Sequence, residues 1–437
     1  MTTSATLISP ADASPATASE PLTLRAVLGV LVGRREAILA AYRSPATLRL
    51  GFALVLVAGL ARDYDAADLS RDPWWLLVPA AASAAVALVL YALARVRTAD
   101  APPFWAGYRR FLGVVWLMSP MAVLYGIPWE RLTPPGEAIR LNLWTLAIVS
   151  LWRVALAARV IRVLTNVRPV TALLRVTFPA SIVAAVLLHT VPVPLFQLMG
   201  GIRQTVGESA VAGVVFLAQL VAVPAVVVCV AGGVLSLLAR AGRWAPLPAS
   251  GESAPRASRV AWVFAAACAV PFLIALPVTQ REQRLRYDAE ALLAAGRLDD
   301  ALARMSAHRR DEFPPQWDPP PLVGWSVGER PPLLDVLERV VARDHAGWVR
   351  DVYVDKFERR FLSPYARYHE VDAALWARAR AVIARLAPAV NLADRHADTI
   401  AWIERQLADD AERAEREVAR RAATRGASRL TTEGSVP

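Results

Sequence analysis

Five stretches free of Asp, Glu, Lys and Arg dominate the front of this chain: residues 73–94, 111–129, 176–202, 209–239 and 260–280. Each reaches the roughly 20 residues that an α-helix needs to cross the hydrocarbon core of a bilayer. In 437 residues only 20% are charged and the mean hydropathy is +0.36. That combination excludes an ordinary soluble globule, a disordered chain and a disulfide-rich secreted module. Two further windows are interrupted by one arginine each: 46–61 by Arg49 and 141–158 by Arg153.

The charges between the windows set a topology. With all seven windows spanning and the N-terminus inside, the inner segments are 1–49, 95–110, 153–175 and 240–259. They hold 18 basic residues and 5 acids, against 5 basic residues and 7 acids in the outer loops. Short loops rich in Arg and Lys stay cytoplasmic, so this bias predicts seven spans with the N-terminus in. Removing either weak span moves a basic cluster to the wrong side. Trp74, Trp75 and Trp129 fall at expected outer interfaces, and Trp105, Trp152, Trp244 and Trp262 near inner ones, where an indole suits the headgroup level. Arg153 lies close enough to the inner end of its span to extend its head into the headgroups.

The whole net charge of +11 belongs to this apolar part. Residues 1–278 hold 23 basic and 12 acidic residues, and residues 279–437 hold 26 of each. The basic residues sit in short clusters, not in one stripe, so nucleic acid is not an expected partner. Lys356 is the only lysine among 48 arginines, a bias that reads as coding composition. Cys229 and Cys268 fall inside apolar runs and form no framework.

The expected fold class is all-α: a polytopic transmembrane helical bundle of about seven spans, followed by a small helical extramembrane domain. Residues 1–21, rich in Ser, Thr, Ala and Pro, read as a disordered N-terminal tract. Residues 22–45 read as a cytoplasmic interfacial helix, with arginines interrupting an apolar face over 22–43. The seven-span domain covers 46–280, and odd parity puts 281–437 outside the cytoplasm. In that tail, 284–308, 332–362, 370–386 and 392–422 read as helical. Seven of the twenty residues 313–332 are proline, with Trp317 and Trp325 interleaved. Proline fixes φ and removes a donor, so this connector is extended. It serves either as a docking ligand or as a strap packed on neighbouring helices.

The segments ARDYDAADLSRDPWWLLVPAAAS (61–83), SPMAVLYGIPWERL (119–132) and NLWTLAIVSLWRVALAARV (142–160) resemble a family of uncharacterised bacterial multi-pass membrane proteins. The likeness covers roughly residues 40–280 and implies a bacterial inner-membrane location, with no activity attached to any residue. RLRYDAEALLAAGRLDDALARMSAH (284–308) is similar to one tetratricopeptide hairpin, and 332–362 loosely resembles a HEAT unit; neither recurs as an array.

Two constellations are candidate sites. Asp63, Asp65, Asp68 and Asp72 crowd the first outer loop and offer hard oxygen ligands, but a cation site needs more oxygens around one point and these lack EF-hand spacing. Within the fifth window, Pro192 and Pro194 remove backbone donors beside His189, Thr190 and Gln197, the pattern of a broken helix lining a solute path. A kink whose freed carbonyls are satisfied locally accounts for it equally. His308, His345, His369 and His396 are widely separated, and no GxSxG, Walker, HExxH or CxxC motif occurs. No cofactor, metal or catalytic residue is expected. The reading favoured by the sequence is a non-enzymatic anchor or scaffold that presents 281–437 to an envelope protein, with the bilayer as its other partner. The alternatives are a small-solute transporter or channel using the stretch from His189 to Pro194, and a lipid-acting membrane enzyme using the outer acids and His189.

Overall fold

The computed structural model describes residues 21–190, 220, 224–238, 242–245, 256–315, 317–322, 331–363, 372–386 and 390–433. Among them all regular structure is helical apart from two isolated bridges. The described chain falls into two compact units, one ending at Gln283 and the other beginning at Arg284.

The first unit opens with α1 (Leu24–Leu31) and α2 (Arg35–Arg43), separated by Gly33 at φ +70°. A single helix is expected here, yet there are two. Val27, Val30, Ile38, Ala41 and Tyr42 on their inner faces are fully buried, so the pair belongs to the core and not merely to a surface. Pro45, which cannot continue a helix from the preceding residue, marks a 105° bend into α3 (Ala46–Asp63). The carbonyls left open at the end of α2 are taken by Thr47 Oγ1, which donates to Ala41 O at 2.6 Å, and by Arg110, which donates to Tyr42 O and Arg43 O. A guanidinium there also offsets the negative end of the helix dipole.

A 3-10 turn over Pro73–Leu77 leads into α4 (Val78–Arg95). Then α5 (Phe104–Trp116), a 3-10 segment (Ser119–Gly126) and α6 (Trp129–Leu132) follow one another, broken where Pro120 and Pro128 remove donors. α7 (Pro135–Thr165) ends at Asn166 in the left-handed conformation. α8 (Pro169–Thr190), α9 (Pro224–Leu238) and α10 (Arg259–Ala294) complete the set. Helices α3 and α5 cross backbone to backbone: a Cβ on Gly51 would lie 2.8 Å from Trp116 Cβ and 2.9 Å from Gly113 O. In the Val-Ala-Gly-Gly run of α9, a Cβ on Gly233 would lie 2.6 Å from Phe178 Cβ on α8. Small residues thus set how closely these helices approach.

Among the described residues, three helical segments are long and apolar enough to cross a membrane: Pro73–Arg95, Phe104–Leu132 and Arg259–Ala294, at mean hydropathies of 2.2, 1.7 and 2.2. Counting the bent α2–α3 pair as one span makes four. The expectation is seven, and the described residues account for three or four of that count. The windows at 176–202 and 209–239 run out of the described residues, and α7 carries Glu137, Arg140, Arg153, Arg159 and Arg162 along its length.

The two ends of the first unit differ in chemistry. At one end the four basic segments join: Ser258 N donates to Leu22 O (3.0 Å), Trp244 N to Ala99 O (3.0 Å), Ala245 N to Leu164 O (2.7 Å) and Arg159 Nε to Gly33 O (3.0 Å). At the other end the acidic loop after α3 meets α6, the start of α7 and the polar part of α10. Helices α3, α4, α7 and α10, and the α5–α6 path, each run from one end to the other.

The second unit has its own core. Leu285 and Ala289 at the end of α10 pack with α11 (Leu298–Ser306), α12 (Leu333–Ala342), α13 (Gly347–Phe361), α14 (Ala373–Leu386), the short α15 (Leu392–Arg395) and Ile403 of α16 (Ala397–Glu433). On α12 the apolar stripe Leu333, Leu334, Leu337 and Val340 is buried, as its helical spacing requires. Arg378 on α14 ties that helix to α12 by donating to Asp335 at 2.6 Å and Glu338 at 2.8 Å.

The Pro-rich connector is part of this unit as far as it is described. Trp317 is buried and stacks on Phe313 with ring centroids 4.7 Å apart. Its carbonyls, which have no proline N–H to pair with, receive side-chain donors. Arg310 donates to Pro314, Pro315 and Trp317, Tyr353 to Pro320, and Lys356 to Pro319 and Pro321. Residues 313–315 and 317–322 are therefore a strap within the fold. Trp325 lies outside the described residues.

Candidate functional site

The densest polar construction in the first unit is at its acidic end. The apolar window of α10 finishes near Val278, and the helix continues directly into Thr279, Gln280, Arg281, Glu282 and Gln283. Spacings of one, three and four residues bring these polar groups to one side of the helix. Thr279, Gln280, Glu282 and Gln283 are all buried. Buried polar groups of this kind need partners, and the loop after α3 supplies them. Thr279 Oγ1 donates to Tyr64 O at 2.7 Å, while Gln280 Nε2 donates to Tyr64 O at 2.9 Å and Ala67 O at 3.0 Å. Gln280 Oε1 accepts from Leu69 N at 2.7 Å, and Gln283 Nε2 donates to Asp65 O. Tyr64 Oη in turn donates to Gly126 O at 3.0 Å.

Charged groups complete the lattice. Arg131 on α6 pairs with the buried Glu282, and Glu130 accepts from Asn142 Nδ2 on α7. Asp65 faces this group. Burial pushes its carboxyl up to about 6, and the Glu130 charge adds to the rise, while the Tyr64 hydroxyl and Arg131 oppose it.

The four predicted acids therefore do not act together. Asp63 lies 3.8 Å from Arg62, Asp68 accepts from Ser70 within its own turn and pairs with Arg71 at 3.6 Å, and Asp72 accepts from Trp74 Nε1 at 3.3 Å. Only Asp65 joins the lattice. Among the described residues no three His, Cys, Asp or Glu side chains are grouped to hold a metal ion. The arrangement has donors and acceptors matched pair by pair, which suits fixing the exit of α10 from the first unit and offers no nucleophile beside a base.

The other predicted residues are dispersed. His189 and Thr190 are the last two residues of α8, and Pro192, Pro194 and Gln197 lie outside the described residues. Arg153 is half-buried on α7. The buried cation at the basic end is instead Arg175 on α8. It donates to Ala94 O (3.0 Å) and Val96 O (3.2 Å) at the end of α4, and to Ser236 O (3.4 Å) near the end of α9. Burial pushes Lys356 in the second unit down, and Asp318, 2.6 Å away, draws it back up.

Thr279, Gln280, Glu282, Gln283, Arg131, Arg175 and Lys356 are not singled out by sequence reasoning. A run of polar residues on one face immediately after the last apolar window was a usable signal for the first four, and a lone lysine among 48 arginines was one for Lys356. No family model, curated protein or solved structure matches the chain, so the likeness to multi-pass bacterial membrane proteins rests on its sequence segments alone.

Proposed function

We propose that this chain is an integral protein of the bacterial cytoplasmic membrane that crosses it seven times with its N-terminus inside, and that it acts as a non-enzymatic anchor presenting residues 281–437 outside as a helical interaction domain. The observation that carries this reading is the separation of chemistry between the ends of the first unit. All four Arg-rich segments are hydrogen-bonded together at one end, and the acidic lattice is at the other. Retention of Arg-rich segments in the cytoplasm orients such a body in one way only. Helix α10 starts at Arg259 in the basic end, reaches the lattice at Thr279 and continues unbroken to Ala294, the first helical stretch of the second unit. That path supports delivery of the tail to the acidic, outer side.

Topology is tested with alkaline phosphatase fused after Val278 or within 241–258. Activity for the first fusion and none for the second are expected; the opposite pattern sinks the orientation. The anchoring role is tested by crosslinking and pull-down from native membranes through a C-terminal tag. A defined envelope partner, captured by the full chain and lost when 284–437 is deleted, is the expected result. Capture unaffected by that deletion would overturn it.

A further inference from the structure

An open groove of about 480 Å³ lies at the basic end of the first unit, between the end of α1 and the middle of α7. Its walls are Leu31, Val32, Ile148, Leu151, Trp152 and Leu156, with Gly33 and Arg159 at its polar margin. We propose that this groove seats one acyl chain of an anionic phospholipid, with the lipid phosphate held by the arginines beside it.

The walls point to hydrocarbon. Ile148, Leu151 and Trp152 continue an exposed apolar stripe on α7 that includes Trp144, and Leu151 is 72% exposed. Exposed aliphatic groups along a helix of this length suit acyl chains and would be costly to leave in water. The groove also changes character along its length as a lipid does. Trp152 donates its indole N–H to Leu31 O at 3.1 Å, as an interfacial tryptophan does at headgroup level. One step further along α7, Arg159 donates Nε to Gly33 O at 3.0 Å, and its two Nη groups have no partner among the described residues.

Charge complementarity selects the headgroup. Arg162 lies one turn beyond Arg159, and Arg34 and Arg35 follow Gly33 directly. Arg34, Arg35 and Arg162 are exposed, and none of the four arginines forms an ion pair among the described residues. Glu36 is the one acid in α1 and α2. A guanidinium fork matches phosphate oxygens, and four unpaired ones beside an acyl-sized groove favour a lipid with net negative charge over a zwitterionic one. The inference rests on the first unit lying in a bilayer and not on which end faces the cytoplasm, so the fusion experiment and the one below fail separately.

Full-length protein in detergent is titrated with dioleoylphosphatidylglycerol or dioleoylphosphatidylcholine, and retained lipid is read by native mass spectrometry. The expected result is a one-lipid adduct that favours phosphatidylglycerol by roughly tenfold, the effect of one to two charge-assisted contacts. Arg159→Gln and Arg162→Gln should each bring retention down towards the phosphatidylcholine level. Ala155 also lines the groove, so Ala155→Phe, which fills it, should reduce retention of both lipids. Glycerol 1-phosphate should fail to displace the adduct. Equal retention of the two lipids, wild-type retention in all three variants, or displacement by glycerol 1-phosphate would each overturn the proposal. Arg162 is exposed, so its variant remains informative where the groove-filling variant does not fold.

Discussion

The sharpest energetic expectation concerns Lys356. Its side chain is fully buried, and its ammonium has three donors facing three acceptors: Pro319 O at 2.6 Å, Pro321 O at 2.8 Å and Asp318 Oδ1 at 2.6 Å. Methionine keeps most of the stem volume and removes every donor. Two buried carbonyls are then left open, each at ~1–3 kcal/mol. Asp318 is 42% exposed and rehydrates, so losing its ion pair adds at most ~1 kcal/mol. Against this, the ammonium no longer has to be desolvated, which returns part of the loss. The expected net destabilisation for Lys356→Met is ~2–4 kcal/mol. Asp318→Asn should cost less, because the amine, charged or neutral, still donates to both carbonyls. Lys356→Arg should not rescue, since a planar fork cannot meet three acceptors arranged around one nitrogen.

The assay is urea unfolding of residues 284–433, followed by circular dichroism. The 23 buried apolar residues of the second core, from Leu285 to Ile403, lead us to expect cooperative folding of that fragment by itself. A Lys356→Met fragment as stable as wild type would refute the reasoning, because the ammonium would then not be what holds the strap. An order in which Asp318→Asn is the more damaging change would refute it too. Non-cooperative melting of the wild-type fragment would show instead that the tail needs the first unit to fold.

Three further expectations concern the first unit. Arg175→Leu leaves Ala94 O, Val96 O and Ser236 O without their donor and should lower stability by ~2–4 kcal/mol, read as an earlier melting transition of detergent-solubilised full-length protein. Gly51→Val puts a Cβ 2.8 Å from Trp116 Cβ and 2.9 Å from Gly113 O, so α3 and α5 must separate, and the yield of monodisperse protein should collapse. The Asp65 carboxyl, raised in the fold from 3.8 to about 6, contributes stability that is complete below pH 4 and is lost as pH rises through 6. Asp65→Asn should therefore melt later than wild type at pH 7.5, by no more than ~3 kcal/mol, with the gap closing near pH 4; a gap independent of pH would refute this.

The sequence by itself determined the class of structure. Uncharged windows at 73–94, 111–129 and 260–280 correspond to the three helical segments apolar enough to cross a membrane, and the tail windows correspond to helices α11 to α16. Hydropathy and helical period are local properties, so they can be read without knowing where the chain goes next. The arginine clusters were legible for the same reason.

Tertiary structure decided what each polar residue is for. Gly33 divides the expected interfacial helix into two parts that bury Val27 and Val30 on one side and Ile38 and Tyr42 on the other, because a core is available on both sides of the break. Asp65 separates from its three neighbouring acids because the loop folds against Gln280 and Gln283, more than 200 residues away. Thr279 finds Tyr64 at a separation of 215 residues, and Lys356 finds Pro321 at 35. A buried polar group is explained only by the donor or acceptor that satisfies it, and that partner is set by packing, not by spacing along the chain. For this reason Lys356 looks like composition in the sequence and is a three-way clamp in the fold.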